Sequence, residues 1–420
     1  MPGAHELGQS SKMSINSSEP KLQRVIGLPS AVMLGLGSII GTGLFVSLSI
    51  GVDIAGPMVI PAITLAGLVA MCNGLSSAQL AANHPISGGT YEYGHRWLNP
   101  TLGFTSGWMF LCAKSASAAT AALGFAWYIH PEGALPVAII LVVAVTLLTI
   151  TGLQRSNAVN IAMVTLVLMT ISAFVIKSTP ALFEHSDRLQ PLFDPKRFPD
   201  LLQATALMFV AYTGYGRVAT LGEEVQEPRR TIPRAVIITL IISLILYLTV
   251  AAVGLAQAKQ LGKLANGFGG SLLDQIVTSG AAIAMVSVLL NLILGLSRVV
   301  LAMGRRGDLP KATTRINEST KVPALATITV GALITGLVCL GDIKLTWSFS
   351  AFTVLVYYAI TNLCAIRLKD EERLYPVWIS YIGFIACLSL AFFVDWRVMI
   401  AGLGLITFGL IWRKFFHPAI

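Results

Sequence analysis

The chain has 420 residues, of which 55% are hydrophobic and 12% charged, and a formal net charge of +9. Soluble domains carry about 25% charged residues. This composition, with a mean hydropathy of +0.75, therefore excludes a soluble globular protein and implies an all-α polytopic membrane protein. The basic residues lie between apolar runs, which reads as membrane topology and excludes nucleic acid as a partner.

Residues 1–23 are polar and rich in Ser and Gly, and are expected to form a disordered cytoplasmic tail. The first apolar segment after them is too long for a secretory signal peptide. Roughly 20 apolar residues cover the ~30 Å hydrocarbon core. By that rule about twelve spans follow, near 28–53, 57–83, 102–129, 134–153, 156–177, 200–222, 233–257, 277–304, 322–341, 345–366, 375–393 and 396–413. The proline-rich stretch 179–199 is expected to be an extracytoplasmic loop, and Pro85–Tyr93 a turn-rich cytoplasmic one. With the N-terminus in the cytoplasm, roughly 18 Lys and Arg face inward and 8 outward, which favours cytoplasmic N- and C-termini. The three that remain, Lys114, Arg217 and Arg298, lie at membrane depth. The five cysteines all fall inside apolar runs without metal or redox spacing, and the six histidines are scattered. No metal site, cofactor or catalytic residue is expected, so the chain is not read as an enzyme.

The first span carries Gly35-Leu36-Gly37-Ser38-Ile39-Ile40-Gly41-Thr42-Gly43, in which four of nine residues are glycine. Glycine disfavours a helix interior. A helix broken at the midplane bares N–H and C=O groups that lipid tolerates only where they line a cavity or bind something. The sixth span is interrupted in the same way at Ala211-Tyr212-Thr213-Gly214-Tyr215-Gly216-Arg217. Because the two lie five spans apart, the second enters the membrane from the opposite face, as an inverted repeat requires. The start of a half-helix suits a carboxylate, and unwound carbonyls suit an ammonium group. Two such breaks are expected to clamp a zwitterionic α-amino acid without charged side chains. The alternative is that these glycines only permit close packing, since Gly37-x-x-x-Gly41 has small-xxx-small spacing.

Three further stretches accompany the first break: Pro85-Ile-Ser-Gly88-Gly89-Thr-Tyr91-Glu-Tyr93 with Gly103-Phe-Thr-Ser-Gly107-Trp108; Tyr212-Thr-Gly214-Tyr-Gly216 continuing through Gly222-Glu223-Glu224 to Pro228-Arg229-Arg230-Thr-Ile-Pro233; and Ser297-Arg298 running to Gly307-Asp-Leu-Pro310. In this order they resemble the amino acid–polyamine–organocation (APC) transporters over about Val25 to Arg373. The resemblance implies the LeuT-type 5+5 inverted repeat, with residues 24–178 as the first half, 200–373 as the second, and 374–420 adding two helices and a short tail. It further implies that the N–H groups of Thr42 and Gly43, beside Gly41, take the substrate carboxylate. It implies that Ile39, Val210 and Thr213 stand at carbonyl positions for the ammonium. Tyr212, Gly214 and Tyr215 would shape the pocket, with Leu292 and Asn291 of the eighth span reaching it. Some members carry a lysine on the fifth span where sodium-coupled members hold the ion. The matching residue here is Val167.

Lys114 lies near mid-depth among small residues of the third span. An ionisable residue there is a functional candidate, able to release and take up a proton. Snorkelling or pairing with a carbonyl is the alternative. Arg217 follows the second break directly. It would repel cationic substrates, favour an extra substrate carboxylate, or pair with Glu223 or Glu224, although spacings of six and seven suit no unbroken helix. Glu223 and Glu224, beside Arg229 and Arg230, read as an inner-gate charge network. Arg298 reads as structural.

The expected function is a secondary active amino acid permease of the plasma membrane, working by alternating access. Its partners would be the lipid bilayer, an amino acid, and a proton (or sodium) as coupling ion. A cationic amino acid or polyamine exchanger is the alternative. A channel would need pore-lining polar rings and a membrane sensor an output domain, and neither is visible in the sequence.

Overall fold

A computed structural model of the chain describes residues 24–86, 88–152, 157–220, 222, 224–257, 272–320 and 322–416. The expected tail 1–23, Ser87 of the expected turn-rich loop and Glu223 of the expected charge network lie outside the described residues. The first span resolves into α1 (Leu28–Ile39), a π-helical turn (Gly43–Ser47) and α2 (Leu48–Ala55). It is followed by α3 (Val59–Asn83), α4 (Thr90–Trp97), α5 (Pro100–Ile129), α6 (Ala134–Ile150) and α7 (Asn157–Glu184). The sixth span divides into α8 (Phe198–Tyr212), a 3-10 turn (Thr213–Tyr215) and α9 (Gly216–Thr220). Then come α10 (Pro228–Ala256), α11 (Leu272–Arg305), α12 (Ala324–Val338), α13 (Ile343–Ile366), α14 (Val377–Ala391) and α15 (Trp396–Phe416). Among the described residues eight apolar helical stretches are long enough to cross a membrane, and α12 and α14 are shorter apolar helices. The protein is an all-helical, multi-pass membrane protein.

Two local expectations are corrected. The stretch expected as a loop up to Tyr93 gives way to α4, which follows Gly89 at φ +56° and buries Tyr91 and Tyr93. Those two rings supply the apolar surface that holds so short a helix in place. The loop expected from residue 179 begins later, because α7 runs through Pro180 to Glu184. A proline removes a single helical hydrogen bond, and the rest of the ladder carries the helix past it.

Packing follows an exchange pattern. α1 packs on α10 while α8 packs on α3; α5 packs on α13 while α11 packs on α7. Each interrupted helix therefore lies against the long helix that follows the other interrupted one. The outermost helices carry exposed Ile140, Leu147, Ile176, Ile385 and Phe408, which is the pattern of a lipid-facing surface.

One end of the bundle is held by polar contacts. The Ile26 N–H donates to the Glu224 carbonyl at 3.0 Å and the Gln226 N–H to the Ile26 carbonyl at 2.9 Å, tying the start of α1 to the segment after α9. Arg298 of α11 donates to the Glu224 carboxylate at 3.0 Å. Nearby, Arg306 Nε donates to Glu92 at 2.9 Å and the Tyr91 hydroxyl to Asp308 at 2.6 Å. Burial lowers the pKa of His95, and burial with the Asp308 bond raises that of Tyr91. Both are thus neutral at pH 7, and Tyr91 keeps the proton it shares with the buried Asp308 carboxylate.

Candidate functional site

The first interruption is a true break. Ile40 is extended (φ −81°, ψ 91°), and its N–H donates back to the Leu36 carbonyl at 2.7 Å. The helical path resumes at Thr42 (φ −54°, ψ −37°) and enters the π turn. At such a restart the first N–H groups have no carbonyl one turn behind them. The second interruption is milder than expected. Tyr212 and Gly216 keep helical dihedrals, Thr213 departs from them at φ −72°, ψ 2°, and the chain only tightens into one 3-10 turn. Residues with side-chain and aromatic caps close at hand can hold such a turn without full unwinding.

The two interruptions touch. A Cβ on Gly214 would lie on the Ser38 carbonyl, 2.5 Å from its carbon and 2.6 Å from Ile39 Cγ1, so only glycine permits this backbone approach. A Cβ on Gly43 would lie 3.0 Å from Ala211 Cβ and collide with the Tyr247 hydroxyl. That hydroxyl, on α10, stands between the carbonyls of Ile39 at 3.0 Å and Ala211 at 3.1 Å, its single proton shared between the two interruptions. Thr213 Oγ1 donates to the Val210 carbonyl at 2.7 Å, and the Tyr358 hydroxyl to the Thr213 carbonyl at 3.4 Å.

Tyr247→Phe keeps the buried ring and removes this shared cap. Leaving a buried carbonyl without a donor costs about 1–3 kcal/mol. The variant is expected to lose that much stability, read as a lower thermal midpoint of the purified protein. An unchanged midpoint would show that the hydroxyl carries no structural load.

Beside the crossing lies a cavity in which the centres of water-sized molecules can occupy about 60 Å³, room for several waters. Ser38, Ile39, Thr42 and Gly43 line it from the first interruption, and Val210, Ala211, Thr213, Gly214, Gly216 and Arg217 from the second. α5 contributes Phe110, Lys114 and Ser117; α11 contributes Val288, Asn291, Leu292, Gly295 and Leu296. Thr220 and Leu296 carry it toward the end where α9 and α11 finish. At the other end Trp347 of α13 forms a wall. Its indole N–H lies 3.2 Å from Ser47 Oγ and 3.1 Å from the Leu207 carbonyl, which joins the two interrupted helices.

Of the residues expected at the site, Ile39, Thr42, Gly43, Val210, Thr213, Gly214, Leu292, Lys114, Arg217 and Asn291 therefore share one wall. Three stand behind it. Gly41 packs against α11, where a Cβ would lie 3.0 Å from the Ala284 carbonyl, so at this position the close-packing alternative describes what glycine does. The Tyr212 hydroxyl is turned away to the Ile63 carbonyl at 3.2 Å. Tyr215 is fully buried against Tyr358. Large phenol rings beside an interruption fill core before they face a hollow.

Lys114 is buried and its ammonium donates to Thr213 Oγ1 at 2.7 Å, so it neither snorkels nor pairs with a carbonyl. Glu224 is engaged by Arg298, not Arg217, because the chain turns between residues 217 and 224 and brings that carboxylate to α11. Val167 is buried in the apolar core. The polar link from α7 comes instead from Asn160, whose amide donates to the Met33 carbonyl at 3.2 Å and accepts from Asn291 at 3.3 Å. Tyr247, Trp347 and Asn160 gave no signal in the sequence beyond being single polar or aromatic residues in apolar runs.

Comparison with known proteins agrees with this geometry. The chain matches the amino acid permease family over residues 30–414. It is 39% identical to an uncharacterised transporter of Mycobacterium tuberculosis, covering 93% of this chain and 90% of the relative. It is 27% identical to a branched-chain amino acid permease of Bacillus subtilis over 95% and 94% of the two chains. A vacuolar cationic amino acid transporter of Arabidopsis thaliana is 27% identical over 84% of this chain and 64% of the relative. This chain belongs to the amino acid permease family of membrane transporters, and is not an enzyme.

Proposed function

We propose that the chain is a secondary transporter that carries an α-amino acid across the plasma membrane by alternating access, with the proton as coupling ion. The observation that carries this is the cavity at the crossing of two interrupted helices. Helix-start N–H groups at Thr42 and Gly43 suit the substrate carboxylate, and the carbonyls of Ser38 and Ile39 where α1 ends suit its ammonium, the Ile39 oxygen keeping a second lone pair beside the Tyr247 hydroxyl. The Val210 carbonyl is taken by the N–H and hydroxyl of Thr213. The exchange pattern of helix packing supports residues 24–178 and 200–373 as two inverted halves that rock against each other. The cavity runs toward the end bearing Arg298, Arg305 and Arg306, which the positive-inside rule assigns to the cytoplasm together with both termini. Lys114, buried in the cavity wall on Thr213, is the proton-carrying group of this scheme.

Relatives named as cationic amino acid transporters favour a second reading, a cationic exchanger. The wall opposes it, since its ionisable residues are Lys114 and Arg217. Uptake of a panel of labelled amino acids into proteoliposomes, under imposed proton or sodium gradients, tests the proposal. Accumulation driven by an inward proton gradient is expected. Accumulation driven by sodium alone would replace the coupling ion, and no uptake of any amino acid would overturn the function.

A further inference from the structure

We infer, on the basis of the amino acid transport proposed above, that the substrate carries a second carboxylate: Arg217 in the cavity wall selects amino acids with acidic side chains. Among the described residues that line the cavity, the ionisable ones are Lys114 and Arg217, and none is acidic. The Lys114 ammonium is engaged with Thr213 Oγ1. Arg217 differs, since its Nε and Nη1 are buried and have no hydrogen-bond partner. Glu224 is taken by Arg298 at 3.0 Å.

The guanidinium rests against α11 where that helix carries Gly295: a Cβ there would lie 3.0 Å from Arg217 Nη1. The glycine makes room for the guanidinium at the wall of the cavity. A guanidinium stays protonated, and although Arg217 as a whole is partly exposed, its two buried nitrogens without a partner are unfavourable. Its planar fork matches a carboxylate through two parallel N–H···O bonds. Arg217 stands three residues beyond Gly214, a rise of about 4.5 Å along a helix. A zwitterion held at the crossing would thus direct its side chain along the wall toward Arg217. The methylenes of aspartate or glutamate would pass Leu292 and Val288 of the same wall.

The test compares near-isosteres on the full-length protein. Binding is read by ligand-induced thermal shift in detergent, and transport by uptake into proteoliposomes, for glutamate, glutamine, lysine and succinate. Glutamate is expected to exceed glutamine by about tenfold or more, as for loss of one partner of a buried charge pair. Succinate, which has two carboxylates and no ammonium, is expected to fail. Arg217→Gln should bring the ratio of glutamate to glutamine binding down to about one or below, and Arg217→Lys should restore part of the preference. The wild-type comparison needs no variant to fold. Glutamine equal to or better than glutamate overturns this inference and leaves amino acid transport standing. Succinate carried as well as glutamate overturns it as well, by making the ligand a simple dianion. No binding of any amino acid overturns the transport proposal, and this inference with it.

Discussion

Gly214→Ala is expected to reduce amino acid uptake by about hundredfold, the order seen when binding groups move by an ångström, while the protein remains folded. The added Cβ would stand on the Ser38 carbonyl, 2.5 Å from its carbon. This obstacle is backbone, so no rotamer change relieves it. The end of α1 and the 3-10 turn must separate, and the groups on either side of the cavity separate with them. Tyr247, whose one hydroxyl reaches the Ile39 and Ala211 carbonyls, cannot span a wider gap. The control is Gly336→Ala on α12, where an added Cβ meets nothing within 4 Å. That change removes a glycine from a helix interior and should be neutral or stabilising by roughly 0.5–1 kcal/mol. Uptake and gel-filtration profiles of both variants check the contrast. Wild-type uptake by Gly214→Ala would mean that the crossing is not part of the transport site.

Lys114→Met is expected to abolish accumulation driven by a proton gradient and to spare exchange of internal for external substrate. Methionine keeps most of the volume of the side chain and removes the ammonium that donates to Thr213 Oγ1. Thr213 retains its own bond to the Val210 carbonyl, so the turn itself is not left without support. For one proton per substrate, a pH difference of one unit sustains about a tenfold concentration ratio, and the variant should fall to unity. Lys114→Arg should not restore coupling, because a guanidinium does not release its proton. Uptake at several imposed pH gradients, beside counterflow at uniform pH, reads both outcomes. An unaltered response to the gradient would remove Lys114 from the coupling scheme.

Much of the fold was legible because the bilayer imposes one-dimensional rules. Within the described residues each of the expected spans holds helix, since a run of apolar residues long enough to cross hydrocarbon has to satisfy its backbone internally. The break at Gly35–Gly43 was legible for the same reason, as glycines concentrated in mid-span have few uses in lipid. Lys114 and Arg217 drew attention because charge at that depth is costly. Short amphipathic pieces were less legible: α4 carries too few residues to show a period, and its burial of Tyr91 and Tyr93 comes from neighbours distant in the chain.

The sequence by itself determined that the chain is a bundle of membrane helices, two of them interrupted, with isolated cations at membrane depth. These properties depend on composition and spacing along one strand of chain, which the solvent reads directly. Only the tertiary structure decided which groups meet. It brought the Tyr247 hydroxyl to two carbonyls on different helices, joined Asn160 to Met33 and Asn291, and assigned Glu224 to Arg298 while leaving two nitrogens of Arg217 without a partner. It also turned Tyr212 and Tyr215 into core and made Trp347 a wall. The reason is physical: a hydrogen bond between helices depends on where each helix crosses and how it is rotated. Those quantities are set by packing among many side chains at once, and no single residue in an apolar run carries them.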